Sequence, residues 1–341
     1  LHPLLLVILC LVVTALSWCL TIWIERKAKR LGLVQHPNHR SSHVVPTPSG
    51  GGVAIAVSAL LAGGFLCLWA SATLLPIITA VALIAMLGLV DDLRDLPAAF
   101  RFSMQALIFV SLIWTIWPLP AVPLVFGMTL SGWLLAGLIL FAGLWWLNLF
   151  NFMDGIDGLA GSQSVLILFG ACLIWWSEQS DAPDVPALWL ACVTIAAVLG
   201  FLLRNWPPAR IFMGDAGSNA LALIIFAIAM LTIAANNLNY QAWLILPCIF
   251  VTDATVTLLR RIARGERPWQ AHRRHAYQQL TRQWGHRRVT LLYGALTLFW
   301  ALPLALWAQF SGAWTLVPLA YAPLIGLAAW AGAGAGVERS A

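Results

Sequence analysis

Residues 204–235 read RNWPPARIFMGDAGSNALALIIFAIAMLTIAA. The three charges of this stretch, Arg204, Arg210 and Asp215, all precede Ala216, and the residues from there to Ala235 are apolar or small. From 217 to 235 the run is long enough to cross a hydrocarbon core of about 30 Å as a helix. The same alternation repeats outward in both directions. Spans fall near 3–24, 50–69, 73–90, 103–120, 129–147, 163–177, 186–203, 217–235, 241–259, 289–309 and 314–333. The fold class expected is therefore all-α: a polytopic membrane protein of about eleven transmembrane helices, forming a single integral-membrane domain over 1–341. Breaks between spans coincide with turn residues, such as Pro118 and Pro120, Asn236 to Asn239, and Ser311-Gly312.

Composition agrees. Apolar residues make up 61% of the 341 positions and charged residues 9%, whereas soluble domains carry about 25% charged residues. That deficit excludes a solvated globule, a disordered chain and a coiled coil. It also excludes a soluble nucleic-acid binder, despite a net charge of +6.

With eleven spans, the connections 70–72, 121–128, 178–185, 236–240 and 310–313 hold no Lys or Arg. The connections 25–49, 91–102, 148–162, 204–216 and 260–288 hold five, two, none, two and nine, and Arg339 completes the nineteen. Cytoplasmic loops collect Lys and Arg, so these loops are expected in the cytoplasm, with the N-terminus outside and the C-terminus inside. The first span has no basic residues before it and runs into Glu25-Arg26-Lys27-Ala28-Lys29-Arg30, a pattern not expected of a cleaved signal peptide. All six cysteines fall in apolar spans without a C-x-x-C pair, so neither a disulfide framework nor a thiolate metal site is expected.

Topology needs only cations, yet the basic side also carries most of the acids. Loop 25–49 contains Arg40 and His43, then Pro46-Thr47-Pro48-Ser49-Gly50-Gly51-Gly52. A basic topogenic loop accounts for it. The functional alternative lets a phosphate-bearing ligand approach backbone N–H groups around Gly51, with Arg40 and His43 as charged donors. Loop 91–102 opens on Asp91-Asp92, with Arg101 and Gln105 following. Adjacent carboxylates at a membrane surface repel one another, and a cation beside them would relieve this.

Loop 148–162 contains Asn151-Phe152-Met153-Asp154-Gly155-Ile156-Asp157-Gly158 and has no basic residue, so topology does not explain it. If a helical turn forms there, Asp154 and Asp157 aim at one point. In loop 204–216, Asp215 reads either as a helix cap or as a further ligand on the same membrane face, and Asn205 as a hydrogen-bonding group. Loop 260–288 carries His272-Arg273-Arg274-His275. It reads either as a surface helix attracted to anionic lipid or as a diphosphate clamp. Asp253, inside a span, is a functional candidate by position, or else pairs with a basic neighbour.

Taken together and in order, these motifs resemble the polyprenyl-phosphate N-acetylhexosamine-1-phosphate transferase superfamily, glycosyltransferase family 4. The likeness runs through the Gly-rich start of span two, Asp91-Asp92, Asn151-x-x-Asp154-Gly155-x-Asp157-Gly158, Phe212-Met213-Gly214-Asp215-x-Gly217-Ser218, and the His-containing loop. Arg40-Ser41-Ser42-His43 and His272-x-x-His275-Ala276-Tyr277 look most like the bacterial O-antigen initiating branch. The peptidoglycan translocase carries three consecutive histidines where this chain has Arg273 and Arg274, which argues against a muramoyl-pentapeptide substrate. The enterobacterial-antigen enzymes use His-x-His-His, from which this chain also departs.

The resemblance implies transfer of an N-acetylhexosamine-1-phosphate from a UDP-sugar to undecaprenyl phosphate with release of UMP, at the bacterial cytoplasmic membrane. It implies Mg²⁺, with Mn²⁺ as an alternative, held by Asp91 and Asp215. Catalytic roles fall to Asp91 and Asp92, the latter positioning or deprotonating the lipid phosphate, and to Asp154 and Asp157 around nucleotide and metal. Substrate contacts fall to Arg40, His43, Gly51, Asn151, Asn205, His272, Arg273, Arg274 and His275. The partners implied are the two substrates and the lipid bilayer, with a homodimer admissible and no nucleic acid. A CDP-alcohol phosphotransferase would show Asp-Gly-x-x-Ala-Arg, absent here. A transporter or flippase would put its carboxylates at mid-membrane, where Asp253 alone qualifies.

Overall fold

The computed structural model describes residues 2–35, 46–123, 128–178, 185–267 and 272–335. Arg40 and His43 lie outside the described residues. The helices are α1 (Pro3–Leu31), α2 (Gly52–Trp69), α3 (Leu75–Arg94), α4 (Ala98–Thr115), α5 (Gly132–Met153), α6 (Leu159–Glu178) and α7 (Pro186–Asn205). They continue with α8 (Asp215–Ala234), α9 (Tyr240–Ile245), α10 (Cys248–Ile262), α11 (Ala276–Leu296), α12 (Leu302–Ser311) and α13 (Leu316–Trp330). The described strands amount to two antiparallel pairs of two residues each, Val34–Gln35 with Thr47–Pro48 and Val122–Pro123 with Thr129–Leu130. The chain is thus an all-α polytopic membrane protein.

Among the described residues, nine helical runs are long and apolar enough to cross a membrane, with 276–311 as one run. Of the eleven spans expected, the one near 241–259 is the pair α9–α10, broken at Pro247, and the one near 314–333 is the 15-residue α13.

Helix α8 is the axis of the bundle, buried along nearly its whole length. Small residues let neighbouring backbones close on it, the mode by which membrane helices gain packing without a hydrophobic drive. A Cβ at Gly52 of α2 would stand 2.2 Å from the Gly217 Cα, and one at Gly88 of α3 would stand 2.6 Å from the Asp215 carbonyl oxygen. The α1–α7 contact is built likewise. Ser17 Oγ donates to the Ala197 carbonyl at 2.6 Å, and at the cytoplasm-assigned end Arg204 grips Glu25 through two bonds of 2.8 and 2.7 Å.

Helix ends differ from the hydropathy boundaries. Asp91 and Asp92 belong to the last turn of α3, Asn148 and Asn151 to α5, and Asp215 opens α8. Hydropathy marks the part of a helix that lipid surrounds, whereas these polar turns face the protein and continue the helix beyond it. Loop 260–288 is likewise shorter than expected: helix resumes at Ala276 and kinks at Gly285, whose φ of 76° is open to glycine.

Candidate active site

The polar ends of α3, α5, α7, α8 and α11 meet at one end of the bundle. Gly88 brings the end of α3 against the start of α8, and Asp92 completes the junction. Its Oδ1 accepts the Asp215 N–H at 3.0 Å and its Oδ2 the Ala216 N–H at 3.2 Å. The first N–H groups of a helix lack partners within it, so this carboxylate is the cap of α8, supplied from another helix. Of the two readings of Asp215, the helix cap is not met: Gly214 stands at the cap position, with φ 77°. A Cβ there would lie 2.9 Å from Asp92 Oδ2.

Asp215, with its main chain so held, presents its carboxylate to Asn151, whose Nδ2 donates to Oδ1 at 2.9 Å and to Ser218 Oγ at 3.2 Å. Asp91 is buried, accepting from the Leu96 N–H at 2.8 Å and from Arg101. The Arg101 guanidinium also lies 3.8 Å from Asp215 Oδ2. It therefore stands between the two carboxylates that the family resemblance assigns to a metal, as a cation of the protein's own. Arg101 is 38% exposed, which leaves it free to turn toward solvent.

Asp154 and Asp157 flank the non-helical break between α5 and α6, and their carboxylates have different surroundings. Asp154 faces the cluster: burial, then the charges of Asp215, Asp92 and Asp157, hold its pKa well above the usual carboxylate range. Asp157 has partners of its own. Its Oδ1 is 3.0 Å from His286 Nδ1 and its Oδ2 accepts the Ala209 N–H at 3.0 Å. Burial works against its charge, but these bonds outweigh it and lower the pKa. Thr290 adds a bond to the Asp157 carbonyl at 3.0 Å, so α11 beyond its kink holds this loop. Residues 154–158 are not helical, so the helical turn that would aim both aspartates at one point is not formed, and Asp157 is taken up by His286 and Ala209.

The glycine readings also change. The N–H groups of Gly51 and Gly52 donate to the carbonyls of Phe212 and Met213 at 2.9 and 2.8 Å. A Cβ at Gly51 would stand 2.6 Å from the Phe201 ring. Gly51 therefore serves helix contact and is not open to a phosphate. Gly155 makes room for Tyr277, whose Oη would lie 2.0 Å from a Cβ there. Asn205 is internal as well: its Oδ1 accepts the Gly158 N–H at 3.0 Å and its Nδ2 donates to the Ile211 carbonyl at 2.8 Å. Its contribution to the site is to hold two loops in register.

In the basic segment, Arg274 and the buried Arg261 both bind Glu266, the latter at 2.9 Å. Arg274 is thus engaged within the protein. His272 Nδ1 accepts the Arg274 N–H at 3.3 Å, which leaves its Nε2 as the donor. Burial, followed by the nearby His275, Arg261 and Arg274, pushes the His272 pKa down to about 3. It is a neutral hydrogen-bonding group, where the clamp reading expected a cation. The His275 ring packs 4.8 Å from that of His272. Arg273 is engaged with a neighbour. His286 and the roles of Arg101 and Tyr277 were not legible in the sequence; the only local signal was His286 following a glycine at the edge of a basic run.

The donor set is wholly oxygen on the carboxylate side, without a thiolate. Among the described residues no three His, Cys, Asp or Glu side chains form a preformed metal cage. An oxygen-only pair of acids suits Mg²⁺, which usually takes one or two carboxylates plus waters and phosphate oxygens. An apolar cavity of about 230 Å³ opens beside α5, running from Leu149, two residues before Asn151, past Trp145 and Ile139 to Met230 and Trp243.

The sequence profile of glycosyl transferase family 4 matches residues 74–233. Similar proteins include the decaprenyl-phosphate N-acetylglucosaminephosphotransferase of Mycolicibacterium smegmatis, 29% identical over 312 residues, with 81% of this chain and 76% of that protein covered. The probable undecaprenyl-phosphate N-acetylglucosaminyl 1-phosphate transferase of Bacillus subtilis is 30% identical over 248 residues, covering 70% and 67%. The undecaprenyl-phosphate alpha-N-acetylglucosaminyl 1-phosphate transferase of Escherichia coli is 28% identical over 278 residues, covering 77% and 73%. With its ordered motifs gathered at one end of a helical bundle, the chain belongs to glycosyl transferase family 4, among the polyprenyl-phosphate N-acetylhexosamine-1-phosphate transferases.

Proposed function

We propose that this protein transfers an N-acetylhexosamine-1-phosphate from a UDP-sugar to undecaprenyl phosphate at the cytoplasmic face of the bacterial inner membrane. A phosphate oxygen of the acceptor forms a bond to the β-phosphorus of the donor. The bond from that phosphorus to the bridging oxygen breaks, and UMP leaves with the electron pair. The product is a polyprenyl-diphospho-sugar, the first intermediate of O-antigen or a related envelope polysaccharide.

The observation that carries this reading is the Asp91–Arg101–Asp215 arrangement, anchored by the Asp92 cap of α8, near the end of α5, whose Leu149 lines an apolar cavity. Phosphoryl transfer needs little beyond positioning and charge stabilisation, and a lipid acceptor needs an apolar channel next to that charge. Asp215 is the metal ligand of this reading, with Asp154 facing the same space and Asp91 released when Arg101 turns to the diphosphate. A divalent cation held there would neutralise the diphosphate and stabilise the departing UMP. Asp92 positions this centre by capping α8. A general base is not required, because a phosphomonoester with a second pKa of about 6 is mostly dianionic at neutral pH. Asn151 orients Asp215, and His272 offers Nε2–H to the donor. The isoprenoid chain lies along the apolar cavity.

The relatives' names make UDP-N-acetylglucosamine the first donor to test, and the Arg40 to His43 and His272 to Tyr277 motifs favour the O-antigen branch. Incubation of purified protein with Mg²⁺, undecaprenyl phosphate and a panel of UDP-N-acetylhexosamines should release UMP with at least one donor. Release with none would refute the proposal.

A further inference from the structure

Asp253 lies in α10, outside the carboxylate cluster, and the proposed chemistry makes no use of it. It is 2% exposed, and burying a carboxylate is costly unless donors surround it. Here they do. Oδ1 accepts the Ala276 N–H at 2.7 Å and the Thr257 hydroxyl at 3.3 Å, with His275 Nδ1 3.5 Å away. Oδ2 accepts the Tyr277 N–H at 2.9 Å and the Tyr293 hydroxyl at 2.6 Å.

Two of these donors are the first N–H groups of α11, so Asp253 fixes where that helix starts. The residues that precede the start are His272 to His275. Tyr277, seated by the same carboxylate, sends its hydroxyl to the Phe152 carbonyl at 2.8 Å, two residues from Asp154, and fills the space that Gly155 vacates. From the far side the Gly334 N–H holds the Arg274 carbonyl at 2.7 Å. A single buried charge thus sets the register of the 272–275 segment against the Asp154 loop.

We infer that Asp253 is a positioning residue for donor binding: it presents the 272–275 segment and the Asp154 loop to the same UDP-sugar. The inference rests on the sugar-1-phosphate transferase reading. It accounts for a carboxylate inside a span without transport, since its lone pairs face donors of the protein itself.

The test is Asp253→Asn in the full-length protein, with Tyr293→Phe as the milder variant that keeps the carboxylate and removes one donor. The KM for the UDP-sugar is expected to rise about tenfold or more in Asp253→Asn and less in Tyr293→Phe. The KM for undecaprenyl phosphate should stay within about twofold of wild type. Amide hydrogen exchange over 272–280 should accelerate while that of α8 does not. A purely structural role would lower kcat through loss of active protein and leave both KM values in place; that result, or unchanged exchange over 272–280, overturns the inference. Wild-type protein that releases no UMP from any UDP-sugar would instead overturn the transferase reading, and the exchange measurement would still report on Asp253. If Asp253→Asn does not fold, Tyr293→Phe carries both readouts, and wild-type values in both count against the inference.

Discussion

The Asp92 carboxylate caps the helix that Asp215 begins, accepting the Asp215 N–H at 3.0 Å. Two acidic residues separated by more than a hundred positions are thereby locked into one unit with divided roles. Asp92 faces main-chain donors, whereas Asp215 keeps a side chain directed at Asn151 and Arg101.

Asp92→Asn should therefore lose both activity and stability. An amide turns one of its two groups into a donor, which faces an N–H. The loss of half a cap costs about 1 kcal/mol, read as a lower melting temperature. Displacement of Asp215 should reduce UMP release by about 100-fold. Full activity in this variant would remove Asp92 from the site.

Gly88→Ala tests the same junction from the packing side. Its new methyl would meet the Asp215 carbonyl 2.6 Å away, a backbone atom that has no rotamer to yield. The helices must part, at a cost of about 1–3 kcal/mol, and Asp92 moves off the α8 N–H groups. A variant with wild-type melting and activity would contradict the close contact.

Mg²⁺ should stabilise the protein more as the pH is raised. Burial and the neighbouring acids raise the Asp154 pKa, so in the metal-free protein its contribution to stability is present at low pH and fades as pH rises through the raised value. A bound cation recovers what ionisation costs. Thermal shift with and without Mg²⁺ checks this, and Asp215→Asn should abolish the shift. A shift that does not grow with pH would argue against a metal near Asp154.

His272 predicts the opposite slope. Its pKa falls from 6.5 unfolded to about 3 folded, so the stability it contributes is present above pH 6.5 and is lost as pH falls toward 3. Melting temperature between pH 7 and pH 5 should fall less in His272→Gln than in wild type. Identical slopes would mean that His272 is not held neutral.

The architecture was largely legible in the sequence, and the site in part. Spans are written in unbroken apolar runs, and the cations all fall between alternate spans, so the membrane assignment follows from local sequence. Asp215, Asp154 and Asn151 could be singled out because no topological need explains them. Helix ends could not be read, since Asp91, Asp92 and Asn151 are polar turns that face protein rather than lipid. The packing partners of the glycines are hidden for a related reason. Gly51, Gly52 and Gly155 are shaped by Phe201, Gly217 and Tyr277, partners remote in sequence. His286 and Asp253 were beyond reach or undecided on the same ground: the Asp157 carboxylate and the start of α11 become their partners only once the chain is folded.

The central claim is that the Asp215 cluster transfers sugar-1-phosphate to a lipid phosphate. It is tested most directly by UMP release from UDP-N-acetylhexosamines with undecaprenyl phosphate and Mg²⁺, in wild type and in Asp215→Asn. Acceptor-dependent release is expected in wild type, with a loss of about 100-fold or more in the variant. Release that ignores the acceptor, or survives Asp215→Asn undiminished, would contradict it.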